Sequence, residues 1–599
     1  MFIWDRKDLN DTQVAAIEHP GSVFLVACPG SGKTRTLTYK IARLLSELKS
    51  DKKRVIAITY THRAADEIHE RIEQLGVNTS QLWIGTIHSF CLEWILKPYG
   101  IYHPDLKHGF RVINAHDTER MLEELCRAVQ GTKLSSFECT YYFEPNGPVL
   151  TCNKTAKHEA ITGVLQAYWE ALRAERQIDF ELILCYAYHL IESNPSISVL
   201  LGSIFECVLL DEFQDTREIQ YAILASILKT SKGGASAFVV GDPNQAIYGS
   251  LGGYAITAAD LGMRCGIAFK EMNLSDNYRS SSRIVSYFGN YNVLPSKIEA
   301  IGKDKDYLSV VSFDSQTHRD ALEEELVRLI KFNVETLGIA QHEVCIVAPW
   351  WVHLASMTRR LVAALPAYSF DGPGMVPFAR DVDNFWYKLA RIILTEASPQ
   401  LYVRRMRWAG EVIADLNDAG IDVPNLDRKT LLRACNTITI TETDGLVYLR
   451  AFFDQLCSVF GIDRYTCTAL QEHHDAFFEC SQRRVDKLID EGSEAIAELA
   501  MFRKVFAGRT GITVSTIHGV KGAEYDAVIA YGLLKGMVPH FSDPDQVETA
   551  KKLLYVVSSR ARKNLHLISE RGRSLRWGGD YQPTDVLTGC AFEYDQFFN

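Results

Sequence analysis

An apolar run, Val23-Phe-Leu-Val26, passes directly into Ala27-Cys-Pro-Gly-Ser-Gly-Lys-Thr34 and then into a helix-like stretch. That order is the strand, loop and helix start that a phosphate-cradling P-loop requires, so it constrains both the local fold and the ligand class. Glycines let successive backbone N–H groups turn inward, and the helix N-terminus favours anionic phosphates. Lys33 has the reach of the β/γ-phosphates, and the Thr34 hydroxyl suits Mg²⁺. The expected triphosphate cradle is Ala27, Cys28, Pro29, Gly30, Ser31, Gly32, Lys33, Thr34 and Arg35, with Ala27 where a glycine is usual. A glycine-rich turn without a ligand is the plainer reading of such a loop, and the Lys33-Thr34 pair argues against it.

Triphosphate chemistry also needs a carboxylate for the metal and a group that orients the nucleophile. Cys207-Val-Leu-Leu-Asp-Glu-Phe-Gln-Asp-Thr216 offers both, because an apolar strand ends in two adjacent acids. Asp211 is expected to hold Mg²⁺ with Thr34, directly or through water, and Glu212 to polarise the attacking water. Taken in isolation, two acids after a strand are equally a solvated turn; the P-loop upstream gives them a partner.

Strand-like runs alternate with helical patterns from Ser22 to about Ile87, through Arg54–Thr59 and Leu82–Gly85, which is the βα alternation of a parallel sheet. From about Cys91 to Pro195 the pattern turns mostly helical, and the sheet pattern resumes at Ile204–Leu210 and Ala237–Val240. A second α/β pattern, at Tyr307–Phe313 and Glu343–Ala348, gives way to helix-rich sequence from Ser398 to Phe506. It returns at Ile512–Val514 and Ala527–Ala530. The halves share one plan, a sheet domain carrying a helical insertion, with no short repeat, low-complexity tract or heptad array.

A chain of 599 residues with 47% hydrophobic side chains has the material for several packed domains. It contains no run of about 18 uncharged apolar residues, and Met-Phe-Ile-Trp-Asp-Arg-Lys at its start lacks a leader pattern. A soluble cytoplasmic protein with no membrane partner is the expectation. The 14 cysteines are scattered without a C-x-x-C pair, which suits reduced thiols. A formal net charge of −10 argues against a basic coat. It leaves room for a local nucleic-acid groove, because binding depends on where Lys and Arg sit.

Beyond the P-loop and the acid pair, several segments carry a resemblance to the UvrD/Rep-like superfamily 1 helicases over nearly the whole chain, weakest in the two insertions. Leu9-Asn-Asp-Thr-Gln13 resembles that family's adenine-reading glutamine motif. Ala57-Ile-Thr-Tyr-Thr-His-Arg-Ala-Ala65 and Gly85-Thr-Ile-His-Ser-Phe90 resemble its DNA-contacting strand ends, and Gly241-Asp-Pro-Asn-Gln-Ala-Ile-Tyr248 its γ-phosphate-sensing segment. Leu274-Ser-Asp-Asn-Tyr-Arg-Ser280, Val514–Glu524 and Leu554–Ala561 resemble the motifs of a second motor domain. The resemblance implies an α/β fold of two RecA-like parallel-sheet motor domains, each with a mainly helical insertion. The first motor would span 1–90 and 196–270 around an insertion at 91–195, and the second 271–397 and 507–599 around an insertion at 398–506.

The resemblance also implies roles. Gln13 and Tyr278 would contact adenine, Glu524 the ribose and Gln245 the γ-phosphate, and Arg279 and Arg560 would be fingers delivered across a cleft. A planar, permanently charged guanidinium suits the spread charge of a transferring phosphoryl group. The implied catalytic set is Lys33, Asp211, Glu212, Gln245, Arg279 and Arg560, with Mg²⁺ as cofactor and ATP as substrate. Tyr60, Thr61, His88, Tyr248, Thr516 and His518 stand where the family binds DNA. Stacking rings and polar groups for phosphates are what single strands require.

One departure stands out. After Tyr248 the family shows an aromatic and an arginine, whereas this chain has Ser250 and Leu251 in Gly249-Ser-Leu-Gly-Gly253. Phe378 or Trp386 is a possible source of a compensating ring. The second insertion is short for the family, and no basic tail follows Arg560. Two functions therefore stay open. One is an ATP-dependent 3′–5′ DNA helicase or translocase acting on single-stranded and tailed duplex DNA. The other is a DNA-dependent NTPase subunit that regulates a partner nuclease in antiphage defence of the Gabija type, which the length and compactness also resemble.

Overall fold

The computed structural model describes residues 8–372, 375–378, 381–543, 545–575 and 578–596. The first seven residues, from which the absence of a leader was read, lie outside it. Two six-stranded sheets organise the chain. The first holds β1 (Val23–Ala27), β2 (Arg54–Thr59), β3 (Leu82–Thr86), β4 (Phe205–Asp211), β5 (Ser236–Gly241) and β6 (Lys270–Leu274). Their order is β6-β1-β5-β4-β2-β3, with every pairing parallel.

Such strands are covered on both faces, which is why they read as continuous apolar runs rather than alternating ones. Helices α1 (Asp11–Glu18), α2 (Lys33–Glu47) and α3 (His62–Gln74) cover one face. Ala16, Leu37, Ile41, Ile68 and Ile72 there meet Leu25, Ala57, Leu209 and Val240. The other face, through Phe24, Ile56, Ile58 and Val208, shares a core with the helical insertion, including Ile183, Leu184 and Tyr168.

The second sheet repeats the plan with β7 (Val311–Asp314), β8 (Val344–Ala348), β9 (Phe370–Asp371), β10 (Ile512–Thr516), β11 (Tyr525–Ala530) and β12 (Ala561–Ile568). Its order is β7-β12-β11-β8-β10-β9, again all parallel. One face packs on α4 (Ser282–Gly289) and α7 (Gln546–Ser558), and the other on α5 (Leu322–Lys331) and α6 (Trp351–Ala364). This is the α/β fold of two RecA-like parallel-sheet domains with helical insertions.

Three local readings change. Residues 270–274 form the edge strand β6 beside β1, so the first sheet runs past residue 270. Residues 378–394 pack into the second helical core, where Trp386 lies against Phe453, so that insertion begins before residue 398. The first insertion carries an antiparallel hairpin, Tyr141–Glu144 with Gly147–Leu150, inside its helices. Among the described residues no helix is long and apolar enough to cross a membrane.

Candidate nucleotide cleft and nucleic-acid face

The loop after β1 bends because of its glycines. Gly30 and Gly32 sit at φ +70° and +81°, in the left-handed region that glycine enters at little cost. Space demands them as well. A Cβ on Gly30 would lie 2.5 Å from the Arg279 Cβ, and one on Gly32 would lie 2.6 Å from Gln13 Nε2. The loop is therefore moulded against both the glutamine segment and the second domain. Ser31 Oγ donates to Cys28 O at 2.7 Å. The Cys28 N–H is committed to Leu274 O, and Pro29 has none, so neither offers an amide to the cradle. Arg35 Nη1 donates to Asp8 O at 3.0 Å.

Lys33 and Thr34 start α2 directly after the loop. Lys33 Nζ lies 3.4 Å from Glu212 Oε2. Burial works against its charge, but the carboxylates of Glu212, Asp242 and Asp211 outweigh burial and raise its pKa. Asp211 closes β4, and its Oδ1 accepts the Glu212 N–H at 3.0 Å. Glu212 itself adopts φ +53°, a left-handed conformation unusual for a side-chain-bearing residue, and this turns its carboxylate back toward Lys33. Gln214 Nε2 donates to the same oxygen at 2.5 Å and through Oε1 accepts the Asp242 N–H at 2.9 Å.

The two acids are shifted in opposite directions. Burial, followed by the neighbouring Glu212, raises Asp211, while Lys33 and Lys521 overcome burial and depress Glu212. Opposed shifts in adjacent carboxyl groups mark a division of labour.

The opposite wall comes from the second domain. Arg560 is 2% exposed, with its Nη2 donating to Gln245 Oε1 at 2.6 Å. Gln245 Nε2 in turn donates to Asp242 Oδ2 at 2.8 Å. Arg279 Nε donates to Glu524 Oε2 at 2.7 Å and Nη1 to Ser559 O at 3.0 Å. Glu524 also takes Arg562 Nη1 at 3.1 Å, so its carboxylate is shared by two guanidinium groups. Gln13 is buried; its Oε1 accepts the Asn10 N–H and its Nε2 donates to Ser31 O at 2.9 Å, which ties α1 to the loop. Tyr278 stays exposed beside this entrance, its hydroxyl accepting from Asn10 Nδ2 at 3.0 Å. These contacts gather Gln13, the loop, Lys33, Glu212, Gln245, Arg279, Glu524 and Arg560 around one cleft, while the Arg35 side chain turns out to Asp8.

The sequence reading missed several positioning groups. Lys521 Nζ crosses the cleft to Asp215 Oδ2 at 2.5 Å and Gln245 O at 2.8 Å. Asn277 Nδ2 donates to Pro29 O at 2.6 Å, and Tyr555 hydroxyl to Asp242 Oδ2 at 3.3 Å. Each sits inside a quoted motif, yet its partner is hundreds of positions away, and spacing carries no signal for that.

Beyond the cleft, Tyr60 at the end of β2 stacks on Tyr248 with centroids 5.1 Å apart and planes at 29°. Tyr248 lies 5.4 Å from the His518 ring, so the rings form a line from first domain to second. Thr61 Oγ1 accepts the Ala64 N–H and Thr516 Oγ1 the Gly519 N–H, which gives both threonines a capping job at this surface. His88 packs edge-on against Phe180 at 5.7 Å, and burial, then Arg217 and His62, lowers its pKa to about 4. Its ring is therefore neutral near pH 7. With Tyr60, Phe180, Arg217 and Tyr248 it lines a cavity of about 410 Å³.

Ser250 and Leu251 lie in an exposed turn, Gly249–Leu251, with no ring in the family's place. The turn rests on the first insertion, since a Cβ on Gly252 would lie 2.7 Å from the Tyr142 ring. Phe378 and Trp386 cannot compensate: both are fully buried in the second helical core, where apolar burial holds them.

Two RecA-like sheets joined across one polar cleft, with a P-loop on one wall and two arginines on the other, define the class as a two-motor P-loop protein. The UvrD/REP helicase N-terminal domain model matches residues 9–255, and the UvrD-like helicase C-terminal domain model matches residues 496–572. The chain is similar to the ATP-dependent DNA helicase PcrA of Leuconostoc citreum, 24% identical over 95% of this chain and 82% of that protein. It is likewise 25% identical to DNA helicase II of Escherichia coli K12, over 95% of this chain and 85% of that one. DNA helicase II of Salmonella typhimurium is 31% identical over 46% of this chain and 39% of its own length. The chain belongs to the UvrD/Rep helicase family.

Proposed function

We propose that this chain is an ATP-dependent DNA helicase that moves 3′ to 5′ along single-stranded DNA, hydrolysing ATP in the cleft between its motor domains. The observation that carries the reading is the Arg560–Gln245 contact of 2.6 Å, which brings a second-domain guanidinium to the wall that holds Lys33, Asp211 and Glu212. Family membership supports DNA as the track and the 3′–5′ sense.

In this reading Lys33 grips the β/γ-phosphates and Glu212, kept ionised, orients and deprotonates water. Gln245 senses the γ-phosphate, while Arg279 and Arg560 meet its developing charge. Gln13 retains one donor and one acceptor beyond its two internal bonds, enough for adenine's edge, and Tyr278 offers an open ring face. Glu524 would share its carboxylate with the ribose. The donors for a hard cation also fit, since the buried Asp211 carboxylate and the Thr34 hydroxyl are oxygen ligands beside the loop. Bound there, Mg²⁺ would neutralise phosphate charge. Tyr60, Tyr248 and His518 would stack on bases, with Thr61, His88 and Thr516 as polar neighbours.

The test is steady-state ATP hydrolysis with and without a single-stranded oligonucleotide. Strong stimulation is expected, and hydrolysis indifferent to DNA would overturn the assignment.

A further inference from the structure

One side-chain amide joins the two groups that would meet the base. Asn10 caps α1: its Oδ1 accepts the Gln13 N–H at 2.7 Å, and its own N–H donates to Gln13 Oε1 at 2.9 Å. A backbone N–H can only donate, so Oδ1 is the end that faces Gln13 and Nδ2 is the end that faces away. Nδ2 donates to Asp276 Oδ2 at 2.9 Å and to the Tyr278 hydroxyl at 3.0 Å. These partners lie 266 and 268 positions along the chain, just past edge strand β6. Capping α1 needs the oxygen alone, so the helix does not account for the two outward bonds.

Elsewhere Tyr278 is held through its backbone. Its N–H donates to Gly30 O of the P-loop at 2.9 Å, and Gly302 lies so close that a Cβ there would strike Tyr278 O. The residue is 41% exposed, and an exposed ring on a fixed backbone still has its side-chain torsions free to choose between rotamers. The bond from Asn10 removes that freedom, because it holds the far end of the ring. The Asp276 carboxylate keeps the amide turned to the same side. Since Asn10 also fixes Gln13, the ring face and the amide edge share one anchor.

We propose that Asn10 is a positioning residue that sets Tyr278 against Gln13, so that the face and the edge of the adenine site stand ready before the nucleotide arrives. This rests on Gln13 and Tyr278 meeting adenine, as the proposed function has it. Asn10 touches no reacting atom and acts through the tyrosine. Ordering a free side chain on binding costs affinity, and a ring already in place avoids that cost. The effect is confined to nucleotides that carry a base, because the phosphates meet Lys33 and the loop instead.

The test is steady-state ATP hydrolysis at saturating single-stranded DNA by the full chain and its Asn10→Ser, Tyr278→Phe and doubly substituted variants, with ribose 5-triphosphate, which lacks the base, as competitor. Serine keeps the helix cap but is too short to reach Tyr278, so a parent-like melting temperature is expected. Tyr278→Phe keeps the ring and removes the bond from its other end, without touching α1. Asn10→Ser should raise KM for ATP roughly two-fold to twelve-fold, the cost of one side chain ordered on binding, with kcat near the parent's. Tyr278→Phe should raise KM alike, and the double variant should be no worse than Asn10→Ser alone, since both changes remove one hydrogen bond. The inhibition constant of ribose 5-triphosphate should be the same in all four proteins. Parent-like KM in either single variant, additive losses in the double variant, a loss carried by kcat in Asn10→Ser, or an equal rise for the base-free competitor overturns the positioning role. If the parent distinguishes ATP from the base-free competitor while the variants match it, only that role falls. If ribose 5-triphosphate competes as tightly as ATP binds in the parent, the proposed adenine contacts fall with it.

Discussion

Replacing Arg560 by lysine keeps a positive charge and removes a planar fork, which isolates what the fork does. The guanidinium donates through Nε to Val556 O at 3.0 Å, through Nη1 to Ala523 O at 3.3 Å and through Nη2 to Gln245 Oε1 at 2.6 Å and Ser559 Oγ at 3.1 Å. A lysine ammonium is a single point and cannot span these acceptors. Each buried acceptor left unpaired costs about 1–3 kcal/mol, so Arg560→Lys should also lower the melting temperature measurably.

The kinetic effect is larger. If Arg560 meets the transferring phosphoryl group, its loss should reduce kcat by about 10³-fold or more, which is about 4 kcal/mol at 1.4 kcal/mol per decade. The assay is steady-state hydrolysis at saturating single-stranded DNA, with KM for ATP measured in parallel. The expected result is a collapsed kcat with KM within several-fold of the parent. A kcat loss under tenfold in a folded variant would return Arg560 to a structural buttress. A raised KM at unchanged kcat would make it a ground-state contact.

Three further perturbations follow from the same geometry. Lys33→Ala should abolish turnover in a folded chain, whereas Glu212→Gln should still bind ATP with Mg²⁺ and fail only at hydrolysis, so loss of nucleotide binding in Glu212→Gln contradicts the division between the two acids. Ser250→Trp, placed in an exposed turn, should tighten single-strand binding by up to about 1–3 kcal/mol, and Tyr60→Ala should weaken it; no change in either would move the strand off this face. Burial, followed by Arg328, drives the His566 pKa from 6.5 down to about 3, with Asn333 Nδ2 donating to Nε2 at 3.0 Å and Ser312 Oγ within 2.8 Å of Nδ1. The folded chain therefore binds this proton only below about pH 3, the unfolded chain already below about 6.5. Stability is fully present above pH 6.5 and falls by about 1.4 kcal/mol per unit as pH drops through that window. Melting curves from pH 7 to 5 should show a shallower slope in His566→Gln, and parallel slopes would refute the assignment.

The nucleotide wall of the first domain was legible because its parts are local. A strand followed within eight positions, Ala27–Thr34, by two glycines and Lys33 determines a loop shape, and an apolar run ending in Asp211 and Glu212 determines where two acids stand. Arg279 and Arg560 were legible only through family motifs, since nothing in their spacing says that they meet one cleft. Lys521 reaching Asp215, and Asn277 holding Pro29, were invisible for the same reason. Edge strand β6 was missed because Lys270-Glu-Met-Asn-Leu274 carries polar residues, and its pairing with β1 overrides that pattern. Trp386 read as an available ring because a lone aromatic shows its chemistry but not its burial. Helix packing around Phe453 decides that instead.

Strand displacement tests the central claim most directly. A duplex with a 3′ single-stranded tail, one with a 5′ tail and a blunt duplex are each given to the parent chain and to Glu212→Gln with ATP and Mg²⁺. The account predicts displacement of the 3′-tailed duplex alone, by the parent alone. Displacement from the 5′ tail, displacement by Glu212→Gln, or vigorous DNA-stimulated hydrolysis with no strand released would contradict it.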